Sequence, residues 1–376
     1  MKTKLKYVFL CIILLIVVIG SINLFEPGKT DKVKGKIHIV VRNEMYDYIS
    51  KCADKFMKDN DKVEIQVDKI DDYKKVKNSI NPNDLGTVQI FEMDYKSFEE
   101  NKLNQFSYYD LNGEILKGYS NNFSENALKK YSNIYKQSAL PFTSRPLALY
   151  INTTVLNMYG YSKDDFNTWD DVIRIGNDIY NKSDKKIKLI NGYGQDYNDL
   201  VNLLIMQNIK HKKSAEETEQ IVKSYIEKLK SENILTSNNN ENYILKISSI
   251  DGVNSIINSD SSNIWSIVNV PSEGFGKSKF FTTDDTQLYI LKNNNNKLAD
   301  KFIKAILTEE SISINYMQKG NFFLSYLYYY KNKKIEKNIK NMEGQTPLVI
   351  LSNIENKSEY ISDYEKYLQI KSDLGY

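Results

Sequence analysis

Cysteine, histidine and tryptophan are scarce in this chain of 376 residues, which has two of each. Cys11 lies in an apolar N-terminal run and leaves Cys52 alone, so neither a disulfide framework nor a cysteine-rich metal site is available. His38 and His211 are too few for a zinc site built on histidine. We therefore expect no bound metal and no cofactor.

Basic and acidic side chains nearly balance, at 51 and 48, and leave a formal net charge of +3. A general nucleic-acid binder usually carries a basic stripe, so we do not expect nucleic acid as a partner. The G-x-S-x-G, H-E-x-x-H and P-loop patterns of common enzyme sites are also missing. Adjacent acidic pairs at 71–72, 170–171 and 284–285 lie at predicted helix starts or turns, where neighbouring carboxylates do not converge on one bond. We therefore expect no enzymatic activity.

The N-terminal segment 1–25 has the pattern of an export signal. Three lysines precede an unbroken apolar run over residues 7–19, and Gly20 follows. The positive flank is expected to stay cytoplasmic while the rest of the chain is exported. Three fates remain open: cleavage near Gly20, retention as an anchor, and lipidation at Cys11. We favour export with retention at the outer face of the cell membrane, and we interpret residues 26–35 as a polar linker.

Segments typical of strands and helices alternate after the linker. The runs "KIHIVV", "VEIQVDKI" and "TVQIFEM" are typical of strands, and residues 47–58 place apolar side chains near helical spacing. This alternation predicts βαβ units with a largely parallel sheet, and the length predicts two domains. Thr168 is a predicted N-cap, Gly160 a helix stop, and Ser214 with Glu217 a capping box. We also predict a helix over "YLYYYKNKKIEKNIKN".

Several stretches, in a fixed order, carry a family resemblance. They are "LGTVQIFEMDYKSFEENKLNQFSYYDLN", "PFTSRPLALYINTTVLNMYGYSKDDFNTWDDVI", "KISSIDGVNSI", "SIVNVPSEG" and "TQLYILKNNNNKLADKFIKAILTEESISINYMQKG". In the second stretch a charged residue precedes a strand, and a short helix, a glycine and a "TWDEL"-like helix start follow it. From about residue 36 to about residue 330, the chain thereby resembles the extracellular solute-binding proteins of bacterial ABC importers, in the sugar-binding family 1 class.

The resemblance implies a two-lobed α/β fold of the periplasmic-binding-protein type (type II). Each lobe would be a mainly parallel sheet flanked by helices, and a hinge would join the two. Lobe 1 would comprise residues 36–145 plus 272–310, and lobe 2 residues 146–271 plus 311–376. The strand over 147–152 would cross from the first lobe through the hinge into the second.

The chain departs from the family pattern in its aromatic residues. Family members that bind sugars commonly carry a tryptophan in the glycine-containing loop, where this chain has Asn254 beside Val253. Of the two tryptophans, Trp169 is at a predicted helix start and Trp265 is better explained as a core residue. These departures leave the ligand class more open than the fold.

The resemblance places a ligand between the lobes, which needs flat apolar faces and fixed polar groups. Candidates come from the loops that follow predicted strands, and the "NGYGQDYND" stretch offers tyrosines on a turn that glycine permits. Our predicted ligand-binding residues are Arg42, Glu44, Asp94, Tyr95, Arg145, Tyr193, Tyr197, Gly252 and Asn254.

Several of these residues also have purely structural interpretations. Arg42 and Glu44 are as well explained as solvated charges. Asp94 is as well explained as the cap of the helix that follows it. Arg145 has a second interpretation, as the ion-pair partner of a carboxylate across the hinge. Tyr95 has one as part of the lobe surface.

We expect a monomeric binding protein that takes up a small polar solute, of the sugar or oligosaccharide type, and delivers it to an ABC permease. The alternative is a surface protein of the same fold that acts as a sensory or interaction partner and does not transport. A polysaccharide-modifying enzyme is the third and weakest hypothesis. Polar groups converging in a wet cleft favour the first, and a cleft filled by the protein's own side chains favours the second.

Overall fold

The computed structural model describes residues 32–375, except for 112–113, 130–131, 134–135, 210–212, 337, 345, 360 and 362. The predicted export segment 1–25 and most of the predicted linker 26–35 lie outside the described residues. Within the described part of the chain, no helix has both the length and the apolar character needed to cross a membrane.

A five-stranded sheet forms the first half of the fold, in the strand order β2-β1-β3-β11-β6. Strand β1 pairs in parallel with β2 and β3, and β11 pairs antiparallel with β3 and β6. One strand, β11, therefore runs against the other four. The strands are β1 (Lys34–Arg42), β2 (Lys62–Ile70), β3 (Thr87–Asp94), β6 (Ala139–Pro146) and β11 (Thr282–Ile290), and β4 (Ser132–Asn133) and β5 (Lys136–Gln137) form a separate two-stranded ladder.

A four-stranded sheet forms the second half, in the order β10-β7-β9-β8. Strand β9 pairs in parallel with β8, while β7 pairs antiparallel with β9 and β10. Here too a single strand, β7, runs against the rest, so each sheet is mainly parallel, as predicted. The strands are β7 (Ala148–Asn152), β8 (Ile187–Ile190), β9 (Asn242–Ser248) and β10 (Trp265–Asn269).

Helices cover both sheets, and capping residues in the sequence fix where several of them begin. The predicted caps are confirmed: Thr168 and Asp171 form a capping box at the start of α7, and Ser214 with Glu217 does so for α9. In the described residues the helices are α1 (Asn43–Asp59), α2 (Val76–Ser79), α3 (Tyr95–Glu100), α4 (Glu114–Tyr119), α5 (Glu125–Lys129), α6 (Thr153–Met158), α7 (Trp169–Lys182), α8 (Gly194–Asn208), α9 (Ala215–Ser231), α10 (Ile250–Ile257), α11 (Asn296–Thr308), α12 (Glu310–Gln318), α13 (Pro347–Lys357) and α14 (Tyr364–Asp373).

The chain passes between the sheets at two adjacent segments. Strand β6 ends at Pro146 in the first sheet, and β7 begins at Ala148 in the second, so the predicted crossover strand is confirmed. The chain returns through residues 270–281 to reach β11. The amide of Leu147 donates to the carbonyl oxygen of Phe281 at 2.9 Å, which holds the outgoing and returning segments side by side.

Apolar side chains form a core on each sheet. The core of the first sheet includes Ile39 and Phe302, and it continues to Tyr150 and Trp265 on one face of the second sheet. A separate core beneath α7, α8 and α9 buries the other face of the second sheet. On the remaining face of the first sheet, the ring of Tyr289 stacks on Phe91 and Phe98 with centroids 5.2 and 4.3 Å apart.

The C-terminal segment beyond residue 311 packs on both sheets, and the predicted lobe division at that residue stays a prediction. Helix α12 packs against α1, and Met317 and Phe323 lie in the core of the first sheet. Helix α13 contacts both β6 and β10, so it lies between the sheets, and α14 packs on α8 and α9. The segment follows the first sheet because its aromatic side chains pack on α1, where the rings of Tyr316 and Phe322 lie 5.9 and 5.0 Å from that of Tyr48.

Candidate ligand site between the two sheets

Polar residues collect at one edge of the first sheet. Strands β1, β3 and β6 run in the same direction, so Arg42 and Asp94, the last residues of β1 and β3, lie at the same edge as Arg145, the last but one of β6. Strand β11 begins at this edge, with Thr283 paired to Arg145. In open α/β sheets, ligands bind outside the carboxyl ends of the strands. The edge also faces the helices of the second sheet, which makes it the candidate site.

Arg145 joins the two halves of the molecule. Its Nη2 donates to Asp199 Oδ2 at 2.8 Å, and its Nη1 donates to Asp251 Oδ1 at 2.8 Å. Asp199 lies on α8 and Asp251 on α10, so a residue of the first sheet is held by two helices of the second. The Asp199 side chain is fully buried and that of Arg145 is 20% exposed. Gln195 Nε2 donates to Asp199 Oδ1 at 2.9 Å and completes the cluster.

The sequence around α8 explains how Asp199 reaches this position. Gly194 has a φ of +62°, a left-handed conformation that glycine adopts readily, and the helix starts there. Within the helix, Asp199 precedes the segment from Leu200 to Met206, which is apolar except for Asn202, and shares its burial. A buried carboxylate is stable only with a partner, and Arg145 supplies the positive charge.

The C-terminal helix α14 contributes tyrosines to the same region. The hydroxyl of Tyr367 lies 2.7 Å from Thr283 Oγ1 on β11 and donates to Asn202 Oδ1 on α8 at 3.1 Å. The ring of Tyr364 meets Tyr95 edge to face, with centroids 5.7 Å apart. A helix that packs on the second sheet thus contacts two strand ends of the first.

Arg42 is held within the first sheet. Its Nε donates to Glu92 Oε1 at 2.9 Å and its Nη2 to Thr143 Oγ1 at 3.1 Å. Thr286 Oγ1 donates to the same Glu92 oxygen at 2.7 Å. Burial is the largest single effect and lowers the pKa of Arg42, but Glu92 together with Tyr73 and Glu44 outweighs it, so the pKa of Arg42 lies above its usual value. Arg42 therefore keeps its charge, and these contacts tie together four strands, β1, β3, β6 and β11.

Asp94 and Glu44 have positions typical of helix starts. Asp94 caps α3, since its Oδ1 accepts from the Ser97 amide at 2.8 Å. Glu44 is exposed in the first turn of α1, where its negative charge interacts favourably with the positive end of the helix dipole. Their predicted ligand contacts stay predictions.

The remaining predicted residues lie on the second sheet's helices. Tyr193 is 52% exposed just before α8, and the ring of Tyr197 on α8 lies under Lys230 Nζ, which is 5.7 Å from its centroid. Gly252 packs against the ring of Tyr150, and Asn254 Nδ2 donates to the carbonyl oxygen of Lys319 at 2.9 Å. For these residues, too, ligand contact stays a prediction.

A small cavity lies beside this cluster. Its volume is about 50 Å³, which is room for a few water-sized guests and not for a sugar ring. Glu355 of α13 is its buried carboxyl group, and burial raises the pKa of Glu355 to about 6, against the lowering effect of nearby hydroxyls. The lining residues are Ser124, Asn126, Ala127, Ser144, Thr282, Thr283, Asp285, Ser325, Glu355, Ser358, Glu359, Ile361, Tyr364 and Tyr367.

Four residues of this region were not among the predicted site residues: Asp199, Glu355, Tyr364 and Tyr367. An acidic residue next to an apolar run, as in "NDLVNLLIM" and "LVILSNIEN", is a usable signal, because such a residue is buried only with a partner. The tyrosines give no such signal, since 28 occur along the chain.

Sequence comparison assigns the family. Residues 42–312 match the model of the bacterial extracellular solute-binding protein family. The chain belongs to this family. Its members bind solutes and are not enzymes, and the family's extracellular place implies that the protein is exported. A comparison with curated protein sequences gives no match.

Several solved structures share the fold of this protein at low sequence identity. A family 1 extracellular solute-binding protein from Alicyclobacillus acidocaldarius is 12% identical, with a TM-score of 0.68 over 92% of this chain and 94% of that one. The sugar-binding protein MalE from Xanthomonas citri is 10% identical, with a TM-score of 0.70 over 90% of this chain and 92% of that one. The cyclic alpha-maltosyl-1,6-maltose binding protein from Arthrobacter globiformis is 14% identical, with a TM-score of 0.66 over 91% of this chain and 94% of that one. At such identities the likeness shows the fold alone.

Proposed function

We propose that this solute-binding protein captures a small polar solute of the sugar or oligosaccharide type between its two sheets and delivers it to an ABC permease. The contact of Arg145 with Asp199 and Asp251 carries the proposal, because it brings charged groups of both halves together at the strand ends. The sugars in the names of two structural relatives support the solute class. The N-terminal segment would tether a monomeric protein to the outer face of the membrane.

The mechanism follows from the two adjacent crossing segments. Rotation about residues 146–148 and 270–281 would change the gap between the sheets, as in other two-lobed binding proteins. A solute closes the gap only if it binds the closed form more tightly than the open one. Arg145 and Asp251 would then orient polar groups of the solute, and the rings of Tyr95 and Tyr364 would offer flat faces to a sugar.

We also propose a revised lobe division. Lobe 1 would hold residues 36–145, 272–310 and the aromatic segment up to about residue 335, because α12 packs on α1. Lobe 2 would hold residues 146–271 and the helix α14, which packs on α8 and α9. Helix α13 contacts strands of both sheets and would follow the relative movement of the lobes.

A second function, as a surface protein that senses or docks without transport, is favoured by one observation. The residues that face each other across the sheets already bond to one another: Arg145 to two carboxylates, and Tyr367 to Thr283 and Asn202. A gap bridged in this way leaves little room for a solute, and the neighbouring cavity of about 50 Å³ is too small for a sugar ring.

The test is a thermal-unfolding screen of the full-length protein with mono- and oligosaccharides, using amino acids and polyamines as contrasts. A solute that binds the folded state raises the unfolding midpoint by mass action. We expect a saturable shift with one class of saccharide. No shift across the panel would contradict solute capture and support the second function.

Matched tyrosine variants show whether the binding occurs at the proposed place. Tyr95→Ala should weaken saccharide binding about 10-fold or more, since it removes a stacking face, an effect on the order of 1.4 kcal/mol. Tyr328→Ala removes a tyrosine that is 50% exposed on another surface and should leave the affinity unchanged. Equal affinities for both variants would place the solute elsewhere.

A further inference from the structure

The cavity under α13 contains a buried carboxylate among hydroxyl groups. Glu355 is 2% exposed, and its Oε1 accepts from Ser124 Oγ at 3.2 Å. Ser144 and Thr282 line the same cavity from the ends of β6 and β11, next to the two crossing segments. Four separate parts of the chain therefore contribute oxygen atoms to the lining of one small space.

Part of this oxygen cluster has no partner. Among the described residues, Glu355 Oε2, Ser144 Oγ and Thr282 Oγ1 are buried atoms without a hydrogen bond. Buried polar atoms in folded proteins nearly always have a partner, so three orphans lining one cavity indicate a bound guest. The hydroxyls of Ser144 and Thr282 lower the pKa of Glu355 as weak hydrogen-bond donors do, so the three groups adjoin one another, but none of their contacts has the geometry of a full hydrogen bond.

The charge and the donor atoms indicate what the guest is. Among the described residues, no lysine or arginine stands among the main influences on the Glu355 carboxyl, and the one charged group that does, the carboxylate of Asp285, raises its pKa. An ionised carboxylate in this setting lacks a positive partner. A carboxylate and hydroxyl oxygens are the ligands that hard cations prefer.

The number of carboxylates distinguishes between cations. In the described part of the chain, no three His, Cys, Asp or Glu side chains come together as ligands for a metal ion. Asp285 and Glu359 also line the cavity, but Asp285 is half-buried and Glu359 is exposed. Glu355 is the buried carboxylate of the three, and with its neutral hydroxyl neighbours it matches a single positive charge. The cavity volume of about 50 Å³ accommodates a small ion and little else.

We propose that this cavity binds a monovalent cation, sodium or potassium, with Glu355 as the charged ligand and the hydroxyls of Ser124, Ser144 and Thr282 as neutral ligands. Because the ligands come from α13 and from both strands that adjoin the crossings, the bound ion fixes α13 to the first sheet at the point where the chain passes to the second. The site does not depend on the proposed function, since it needs no solute.

The test measures thermal unfolding of the full-length protein in sodium, potassium or choline chloride at constant ionic strength. At mildly alkaline pH, Glu355 is ionised, so a proton does not compete with the ion. One or both of the metal chlorides should raise the midpoint by about 2–4 °C in a saturable way, and choline should not. Glu355→Gln should lose the shift, while Glu227→Gln, at an exposed position of α9, should keep it.

A second variant keeps the test decisive if Glu355→Gln fails to fold. Ser144→Ala retains the carboxylate and removes one neutral ligand, so the half-saturating cation concentration should rise about three-fold or more. Identical midpoints in all three salts, a shift with calcium alone, or an unchanged half-saturation in Ser144→Ala would each overturn the cation site. Because no saccharide is present, failure here leaves the solute-binding proposal unaffected.

Discussion

At the scale of single residues, Arg145 shows how far a charged residue can be interpreted from the sequence. Its place before a buried strand predicts a role at the mouth between two lobes. The sequence does not name its partners, because Asp199 and Asp251 are 54 and 106 positions away. The structural alternative, a pairing with carboxylates, is the contact that the structure contains, on two helices of the second sheet.

We predict that Arg145→Ala lowers the free energy of unfolding by about 3–5 kcal/mol, because it leaves the buried Asp199 without its cation. Arg174→Ala is the control, since Arg174 is 61% exposed and pairs with Asp171 on the surface of α7. Its effect should stay within about 1 kcal/mol. The measurement is urea unfolding of the full-length protein.

Adding Asp199→Asn to Arg145→Ala should recover part of this loss, because the uncompensated charge is gone. Equal unfolding midpoints for Arg145→Ala and the unmodified protein would show that the ion pair between the halves contributes nothing.

At the scale of elements, local sequence determined helix starts better than it determined the aromatic C-terminal segment. The capping residues of α7 and α9 act within four positions, so the sequence alone reveals them. The predicted helix over "YLYYYKNKKIEKNIKN" is wrong: short 3₁₀ turns occupy 327–331 and 333–335. Tyr329 and Tyr330 are buried there, and Tyr330 stacks on Phe323 at 4.6 Å, so tertiary packing overrides helical spacing.

The helical glycines Gly252 and Gly118 should respond in opposite directions to alanine. In α4, a Cβ at Gly118 meets open space, so Gly118→Ala should stabilise the protein by about 0.5–1 kcal/mol through helix propensity. In α10, a Cβ at Gly252 would lie 2.6 Å from the ring of Tyr150, which is fully buried.

Gly252→Ala should therefore destabilise by about 1–3 kcal/mol through overpacking, despite the same gain in propensity. Chemical denaturation of both variants measures whether each substitution raises or lowers the free energy of unfolding. A stabilised Gly252→Ala protein would mean that the Tyr150 ring moves aside easily. The packing around Tyr150 would then be less rigid than its contacts indicate.

At the scale of the whole molecule, two sheets are joined by adjacent crossings and by α13, with α14 returning to contact both halves. The described fold begins at β1, and its core clusters use residues from Val33 onward. The N-terminal run has a separate composition, lysines followed by apolar residues, that suits export and anchoring.

Removal of residues 1–25 should therefore give a folded protein that needs no detergent. We expect the same far-UV circular dichroism and an unfolding midpoint within about 2 °C of the full-length protein in detergent, since no described core residue is lost. Aggregation of the shortened chain without detergent would contradict the division into an anchor and an independent domain.

The sequence by itself determined the alternation of strands and helices, the crossover strand, the helix caps and the family resemblance, because each depends on residues near one another along the chain. Only the tertiary structure decided that α12 packs with the first sheet, that Arg145 meets Asp199 and Asp251, and that Glu355 lines one cavity with Ser144 and Thr282. These contacts join residues far apart in sequence, and they arise from burial: a charged or polar group placed in the interior must find its partner there, wherever along the chain that partner lies.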